Sequence, residues 1–585
     1  MKKSLSLVIH SIFVAILILA AARTACPAGE IFDDRFLEFV GKIDTDALER
    51  MPVQHHGRIA VLDTFARDRV HGICGEEFPD GVAPASAWME LYFNSGRYLT
   101  VPLLYIREDL MRNYLLAQDL GLFEEDFKRN HRIPPAILIN SEGLQILARR
   151  GRLGGEDNLK NFSLIRKLGL AGKIRDVYGD RAGEYKVPVD RLSGRFGLFL
   201  AADSARVIPS AGMNWKTAFD AVSSGESIAG RMFETKEGRK FELSPLIKSW
   251  TRLRAAWLGR DPEMFNRSLE TFLTLQAEAD RDGDIPSETL KKLEIWFNLT
   301  GKFSSVWTGF AAALIVMIAA AATGNRKIKI AGMILIGAST AILAGGFTVR
   351  WVLSNREWYL PPLMNQFEAV MGSALLAAMG GFLIELFHRR NYIALGGAFY
   401  ATLALLSCQF FSRLMGGDIS NPAGILNSIW MAAHVAVIVV GHAFVGISFI
   451  LSVFYLVIRV FADRGSKQLS SGPDLVGLPP RNLFAAVDQC NLIVAQIACW
   501  SVIVGTILGA VWADVAWGRF WGWDPKETWA LVTALLFVAL LHLRFMVPDR
   551  NRGLVTAIVC ILGCGAMLFN WIVVNYFLAG MHSYA

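Results

Sequence analysis

Trp512 to Trp529 reads W-A-D-V-A-W-G-R-F-W-G-W-D-P-K-E-T-W and holds five of the sixteen tryptophans of the chain. One apolar run, Asn491 to Val511, leads into this stretch, and another, Ala530 to Phe545, leads out of it. The stretch also contains residues that stop a helix from continuing, namely Gly518, Gly522 and Pro525. It therefore predicts a hairpin, residues 512–529, where the chain turns around at a membrane surface.

Tryptophan is favoured at any membrane surface, because its ring is apolar and its N–H needs a partner. An ordinary aromatic belt is thus the simpler interpretation. A belt residue usually stands alone at a helix end, however, whereas these tryptophans crowd one short turn. Charged side chains lie among them: Arg519, Asp524, Lys526 and Glu527. Flat aromatic faces with charged neighbours suit a large, flat, apolar ligand with charged edges, such as a porphyrin.

The apolar content of the chain is unevenly distributed. Hydrophobic residues make up 53% of the 585 residues and charged residues only 19%. Residues 1–22 and 303–585 resemble membrane segments, while 27–300 has the composition of a soluble domain. Residues 1–26 are predicted to be a signal peptide or a membrane anchor, which would export the domain that follows. The net charge of +7 is explained by basic loops at a membrane, so we expect no nucleic-acid partner.

Cysteine spacing excludes several classes of protein. The seven cysteines form neither CxxC nor CxxCH. The chain is therefore not itself a c-type cytochrome, and it carries no dithiol redox motif or zinc ribbon.

The second half of the chain is predicted to be a polytopic α-helical membrane domain, residues 301–585. Each of its apolar segments is long enough to cross about 30 Å of hydrocarbon. There are eight, at roughly 303–323, 330–353, 368–387, 391–412, 428–460, 487–511, 528–546 and 553–577. With 27–300 outside, the inner turns hold twelve Lys and Arg residues and the outer turns five. This asymmetry predicts that the tryptophan hairpin and the C-terminus face outward.

The domain 27–300 is predicted to be extracytoplasmic, mostly helical and mixed in class. It shows no repeat and no catalytic spacing. His55 and His56 are adjacent and cannot share a helix face, so we interpret them as part of a solvated loop, with a binding site as the less favoured alternative.

Histidines mark the candidate metal ligands of the membrane domain. His434 lies seven residues into one apolar segment, near its outer end, and His582 follows the last segment, so both are expected at the level of the hairpin. Two neutral imidazoles on opposite faces of a porphyrin make a six-coordinate haem. His542 lies about fifteen residues into its helix, deep in the membrane, where an ionisable group is a functional candidate. His442 is either its partner or a packed neutral ring, and His10 is assigned to the leader.

The segment Trp517 to Trp529 resembles the WWD motif of haem-handling membrane proteins in cytochrome c biogenesis. The C-terminal half is similar to the CcsA/ResC branch of the system II pathway. The resemblance covers roughly 300–585 and includes the segments Pro362 to Glu368, Leu426 to Trp430 with His434, His542 in its helix, and Gly580 to Tyr584. His442 departs from the family pattern, which leads us to expect an aromatic or small residue there.

The resemblance implies haem b as the transported ligand, with iron bound by His434 and His582 and a second haem position at His542. It implies that the hairpin contacts haem through Trp512, Trp517, Arg519, Trp521, Trp523, Asp524, Lys526 and Trp529. We expect Asp524 and Glu527 to order the hairpin, because their charge would repel the anionic edge of haem. No catalytic acid or base is assigned.

The implied activity is attachment of haem to the CxxCH cysteines of an apocytochrome c outside the bacterial inner membrane, as the haem-binding subunit of a cytochrome c synthetase. The implied partners are a CcsB/ResB-like membrane subunit and the apocytochrome, with thiol-reducing proteins as further candidates. Two other classes stay open on the residues alone: an exporter of haem or another small molecule without attachment activity, and a bis-histidine haem subunit for electron transfer.

Overall fold

The computed structural model describes residues 31–75, 79–107, 109, 112–113, 124–140, 195, 205–209, 215–217, 232–234, 240–280, 283–388, 390–412, 414–422, 424–469, 481–578 and 580. The predicted leader at 1–26, His10 and His582 lie outside this range. The chain divides into two compact units, one ending at Ile295 and the other beginning at Trp296.

The first unit combines helices with short antiparallel strands. In chain order its elements are α1 Asp34–Val40, α2 Thr45–Glu49, β1 Pro52–His55, β2 Arg58–Val61, α3 Leu62–Cys74, α4 Pro84–Phe93, β3 Leu104–Tyr105, α5 Glu124–Asn130, β4 Arg132–Ile133, α6 Pro135–Asn140, β5 Arg206–Ile208, β6 Lys216–Thr217, β7 Met232–Glu234, β8 Lys240–Glu242, α7 Leu243–Leu258, α8 Pro262–Ala279 and α9 Glu288–Leu299, with 3₁₀ turns at Pro79–Gly81 and Ser95–Thr100. The largest sheet has the order β2-β1-β5-β6. Helix α9 runs past the division between the units.

A buried glutamine fastens the sheet of the first unit to helix α8. The Gln276 side-chain amide donates to the backbone carbonyls of Pro52, 3.0 Å away, and Val207, 2.8 Å away. Around it, apolar side chains of the helices form one core that includes Phe36, Trp88 and Trp257. Because buried backbone carbonyls need donors, Gln276 fixes the two central strands of the sheet, β1 and β5, on the helical layer.

The second unit is built of long apolar helices. They are α10 Trp307–Thr323, α11 Arg326–Ser354, α12 Gln366–His388, α13 Tyr392–Phe411, α14 Ile429–Leu469, α15 Arg481–Trp517, α16 Pro525–Met546 and α17 Asp549–Leu568, which continues through a π-helical stretch, Phe569–Val574, into α18 Asn575–Phe577. Within the described residues, eight helical segments are long and apolar enough to cross a membrane. The predicted polytopic helical fold is confirmed, and each predicted segment matches one of these helices.

Small residues let the membrane helices approach one another closely. A Cβ added at Gly397 of α13 would lie 2.5 Å from the Ala377 carbonyl oxygen of α12, and one added at Gly381 would lie 2.9 Å from the Ile393 oxygen. Lipid tails offer no hydrophobic gain to helix contacts, so such close packing is a main source of association inside a membrane.

Candidate haem site

The tryptophan hairpin is shorter than the sequence suggests, because helix α15 continues to Trp517. Trp512 is therefore helical and buried, and its ring meets that of Trp517 edge to face, with centroids 4.7 Å apart. The helix ends at Gly518, whose φ of +68° is easily reached only by glycine and whose N–H donates to the Asp514 carbonyl. The predicted hairpin boundary at 512 is thus wrong by a turn and a half of helix, and the turn proper is residues 518–524.

Two acidic side chains hold this turn in shape. The Asp524 carboxylate accepts a hydrogen bond from the Lys526 N–H, 3.0 Å away, and so caps α16. Glu527 reaches back and accepts from the N–H groups of Gly522, 2.8 Å, and Asp524, 3.1 Å. Together these bonds form a capping box. The expectation that Asp524 and Glu527 order the hairpin is confirmed.

Trp523 has a backbone conformation that a bulky residue rarely adopts. Its φ is +55° and 70% of its surface is exposed, while its ring stands at 89° to that of Trp521. Strain of this kind persists only where the surrounding structure enforces it, and it clusters at functional sites. The capping box holds the backbone of Trp523 in this conformation.

A cavity opens beside the turn, with an empty volume of about 1200 Å³ that includes space open to solvent. Its walls come from α14, α15, α16, the π-helical stretch and the loop before α12. The residues that matter for the chemistry below are Asn365, Gln366, His434, His442, Trp512, Trp521, Lys526, Asn570, Trp571 and Asn575, among mostly apolar neighbours. A mostly apolar hollow with a few polar groups is typical of a ligand site.

His434 is held in one orientation by two glycines of α15. Its Nδ1 lies 2.7 Å from the Gly505 carbonyl oxygen, so Nδ1 carries the proton and the lone pair is on Nε2. A Cβ added at Gly509 would lie 2.7 Å from Cε1 and 2.8 Å from Nδ1 of the same ring. A histidine that donates through one nitrogen to a carbonyl has the arrangement usual for a metal ligand at its other nitrogen.

His442, two turns further along α14, belongs to the same cavity. Its Nδ1 accepts a hydrogen bond of 3.1 Å from the indole N–H of Trp571, and the two rings are nearly perpendicular. Trp571 lies in the π-helical stretch, a feature that often accompanies functional sites. His442 is therefore a hydrogen-bonded wall residue, with its proton on Nε2.

A buried ionic cluster forms the support of the outer loops. Glu368 accepts hydrogen bonds from Arg350 at 3.0 Å and from Arg356 at 2.9 and 3.0 Å, and all three side chains are at most 2% exposed. Glu368 also accepts from the Met364 N–H, 2.9 Å away, beside the cavity. Arg350 donates to the carbonyls of Gly417 and Asp418. The cluster thus ties two loops to helices α11 and α12.

Comparisons with known proteins identify the family of the membrane unit. A family model described as cytochrome C assembly protein matches residues 363–582. A CcsA protein of Guillardia theta is 30% identical over 269 residues, which is 44% of this chain and 87% of that protein. The chain belongs to the CcsA family of cytochrome c biogenesis proteins.

Other members differ in how much of them this chain covers. A CcsA protein of Porphyra purpurea is 28% identical over 291 residues, 44% of this chain and 89% of that protein. Protein NrfI of Wolinella succinogenes is 25% identical over 328 residues, 54% of this chain but 34% of NrfI. This chain therefore spans only about a third of NrfI. Family membership supports a haem-handling role in cytochrome c maturation.

The predicted contact residues of this CcsA-family chain occupy different positions around the cavity. Trp512, Trp521 and Lys526 line it. The other predicted contacts surround it: Trp517 packs on Trp512, the Arg519 guanidinium lies 5.9 Å from the Trp517 ring centre, Trp523 is exposed, Asp524 caps α16, and Trp529 packs on Phe569 with centroids 4.1 Å apart. The structure thus brings His434 together with three of these eight side chains.

Among the described residues of the cavity, His434 is the one predicted iron ligand. His542 lies on the exposed side of α16, and its Nδ1 is 2.8 Å from the carbonyl oxygen of Val538 in the same helix. It lies about 24 Å along the helix from Lys526. His582 lies outside the described residues. Their roles stay predictions.

Several residues of the site were not identified from the sequence. Gly505 and Gly509 orient His434, and the Arg350–Glu368–Arg356 cluster supports the loops. Asn570 and Asn575 were detectable in principle, because two amides within an apolar segment are costly in a membrane unless they are paired or functional. Asn575 donates to Gln366, which in turn donates to the Trp571 carbonyl.

Proposed function

We propose that this chain binds haem b in the cavity beside the tryptophan turn and presents it for covalent attachment to an apocytochrome c. His434 and His582 are proposed as the axial ligands of the iron. The observation that carries the proposal is the fixed His434 ring, with its lone pair on Nε2, in an apolar cavity that contains Trp512 and Trp521.

The residues present fit a porphyrin as substrate. Flat indole faces would contribute apolar burial of roughly 25 cal/mol per Å². Lys526 is the cation among the described residues of the cavity wall and would pair with a propionate. Glu527 Oε2 and Asp524 Oδ1 accept hydrogen bonds from backbone N–H groups of the turn, which offsets part of their negative charge near the anionic edge of the substrate.

The attachment step needs no oxidant and no dedicated base. The sulfur of each CxxCH cysteine forms a bond to one carbon of a vinyl group, and the thiol hydrogen ends on the other carbon. The protein contributes by holding the vinyl carbons beside the thiols, which raises the rate through proximity. Side chains of the protein bind and orient the haem, whereas the haem vinyl groups and the cysteine thiols supply the reactivity.

The proposed setting is the bacterial inner membrane, with the tryptophan turn on the periplasmic side. The positive-inside asymmetry supports this orientation. His542 is proposed to serve an earlier haem position on the way to the cavity. A CcsB/ResB-like membrane subunit is the proposed partner, and the two together would act as a cytochrome c synthetase.

The direct test is the absorption spectrum of the purified full-length protein, oxidised and reduced. We expect bound haem with a six-coordinate spectrum in the unmodified protein and in His388→Ala, a matched control whose histidine is exposed at the other end of its helix. His434→Ala and His582→Ala should each lose most of the haem or shift its spectrum to five-coordinate. An unchanged spectrum in both variants would refute the ligand assignment.

Co-expression with an apocytochrome separates the three candidate activities. Covalent haem on the CxxCH peptide, dependent on His434, supports attachment. Haem binding and export without covalent product would support an exporter. Haem that stays bound and cycles between redox states without transfer would support an electron-transfer subunit. His542→Ala should lower the haem content of the cavity while leaving the coordination of the remaining haem unchanged.

A further inference from the structure

A second cluster of ligand-type side chains lies in the first unit, at the hairpin between β1 and β2. The strands pair with His55 opposite Arg58, which leaves His56 and Gly57 as a two-residue loop. Their φ angles are +49° and +78°, as in a type I′ turn. Such a turn favours Asn, Asp or Gly, so a histidine at its first position is unusual.

The turn brings two neighbouring imidazoles together. Successive side chains on a strand point to opposite faces. Here the left-handed backbone of His56 rotates its side chain back, and the ring centroids of His55 and His56 are only 3.9 Å apart. His55 is 7% exposed and packs edge to face on Phe65, with centroids 5.3 Å apart. The interpretation of both histidines as a solvated loop is therefore wrong for His55.

Helix α3 supplies a carboxylate to the same place. One ligand atom each of His55, His56 and Asp68 lies within 4.8 Å of the others. Metal–ligand bonds of about 2.0–2.2 Å place tetrahedral ligands about 3.4 Å apart, so small side-chain rotations would complete the geometry. His56 is exposed and Asp68 is half-buried, which gives an ion access from solvent.

Both elements that carry the ligands are anchored. Arg58, the strand partner of His55, makes a two-pronged ion pair with Glu294, at 2.6 and 3.0 Å. In α3, Asp63 pairs with Arg67 at 2.7 Å, and Thr64 donates to Glu294 at 2.6 Å. The hairpin and the helix thus share one buried acceptor, which fixes the position of the histidines relative to Asp68.

We propose that His55, His56 and Asp68 form a binding site for a divalent first-row transition metal ion such as Zn²⁺. Two imidazoles and one carboxylate are ligands suited to these ions, and three protein ligands leave at least one coordination position for water or another molecule. Metal binding would clamp the hairpin to α3. The site uses residues of the first unit alone and does not depend on the proposed function.

The test uses full-length protein purified without a polyhistidine tag, dialysed against buffered Zn²⁺ and analysed by mass spectrometry for zinc per chain. The variants are His56→Asn, whose side chain suits the same turn, and Asp68→Asn, which keeps the shape of the carboxylate. We expect each to bind about one zinc fewer per chain, or to raise the Kd at least about tenfold. Zinc should also slow hydrogen exchange in peptides covering 52–61 of the unmodified protein only.

Two controls decide the interpretation. His131→Asn removes another histidine of positive φ from the same unit and should leave zinc binding unchanged. His434→Ala should also leave it unchanged, so failure of the metal site and failure of the haem site can be told apart. Equal zinc content in the unmodified protein, His56→Asn and Asp68→Asn would overturn the proposal, as would an equal loss in His131→Asn.

Discussion

Two buried glutamates, one in each unit, each accept hydrogen bonds from arginine side chains, but the two clusters support different parts of the molecule. Glu368 in the membrane unit accepts from Arg350 and Arg356, and Glu90 in the first unit accepts from Arg260, at 2.6 and 2.7 Å, and from the Trp257 indole at 2.7 Å. Neither carboxylate is exposed to solvent. Removing one partner of such a cluster leaves an uncompensated buried charge, at a cost of about 3–5 kcal/mol.

The difference lies in what each cluster holds. Glu90 joins side chains within one hydrophobic core, since Trp257 and Tyr98, its neighbours, are core residues. Glu368 joins two loops to two helices, and one of those loops forms part of the proposed haem cavity. Equal electrostatic costs should therefore have unequal functional consequences: loss of stability alone at Glu90, and loss of stability and of haem binding at Glu368.

The largest effect is expected from Glu368→Ala. Two arginines would then be buried without their acceptor, and the loops they hold would be released. We predict a loss of about 3–5 kcal/mol in stability and less than a tenth of the haem retained through purification. Haem content per milligram of detergent-purified protein measures this directly.

Glu385→Ala is the matched control for that experiment. Glu385 is also buried on α12, but it accepts from the Asn391 N–H at the opposite end of the helix, about 26 Å from Glu368. It should lower stability while haem content stays near normal. Equal haem loss in both variants would mean that the cluster at Glu368 has no special relation to the cavity.

Glu90→Ala is expected to destabilise the first unit by about 3 kcal/mol and leave the haem spectrum unchanged. Burial by itself would raise the pKa of Glu90, but the hydrogen bonds from Arg260, Asn94 and Trp257 and the charge of Arg260 together hold that pKa below its usual value, so the carboxylate is charged in the folded unit. Hydrogen exchange of peptides in 84–98 and 243–260 measures the loss. A haem spectrum altered as much as in Glu368→Ala would break the contrast between the two clusters.

Gly509→Ala tests the position of the His434 ring in the cavity. The new methyl group would meet the His434 ring at 2.7–2.8 Å, so either the ring or the helix must move, at a cost of about 1–3 kcal/mol. We predict a shifted haem spectrum with the membrane fold intact. Gly565→Ala, where an added Cβ meets nothing within 4 Å, should leave the spectrum unchanged. Identical spectra for both variants would contradict the placement of His434 at the iron.

The membrane fold was predictable because its signals are local. Hydrocarbon thickness sets segment length, so hydropathy alone located the eight membrane-length helices in the described part of the chain. The capping of α16 was also readable, since Asp524 and Glu527 stand three residues apart beside Pro525. The predicted end of α15 was wrong because Trp512, Ala513 and Ala516 are compatible with helix until Gly518 stops it.

The cavity was less predictable because its walls meet only after folding. The hydrogen bond between His442 and Trp571 joins residues 129 positions apart, and nothing local in either segment predicts it. The convergence of His55 and His56 depends on the left-handed turn at His56, which reverses the side-chain alternation expected of a strand. The following Gly57 was the only local signal of that turn.

Trp523→Gly separates the function of the turn from its stability. Glycine adopts the φ of +55° without strain, and the tryptophan it replaces is 70% exposed, so stability should change by less than about 1 kcal/mol. We nevertheless predict a several-fold lower yield of covalent cytochrome in co-expression. Trp500→Ala, which removes an exposed tryptophan within α15, should leave the yield unchanged. Equal yields from Trp523→Gly and the unmodified protein would refute a role for Trp523 in attachment.

The smallest effect concerns Glu49, a carboxylate of the first unit whose pKa moves in the opposite direction from that of Glu90. Burial, assisted by the negative charge of Asp63, raises the pKa of Glu49 to about 7. The folded unit therefore holds a proton that the unfolded chain releases above about pH 4.5, so stability from this group declines as pH rises from about 4.5 to 7. Glu49→Gln should flatten the pH dependence of hydrogen exchange in core peptides of the unit, after correction for the intrinsic rate, whereas Glu38→Gln at the surface should not. A steeper fall in Glu49→Gln than in the unmodified protein would show that the buried carboxyl group is charged when folded, as Glu90 is, and would remove the distinction between them.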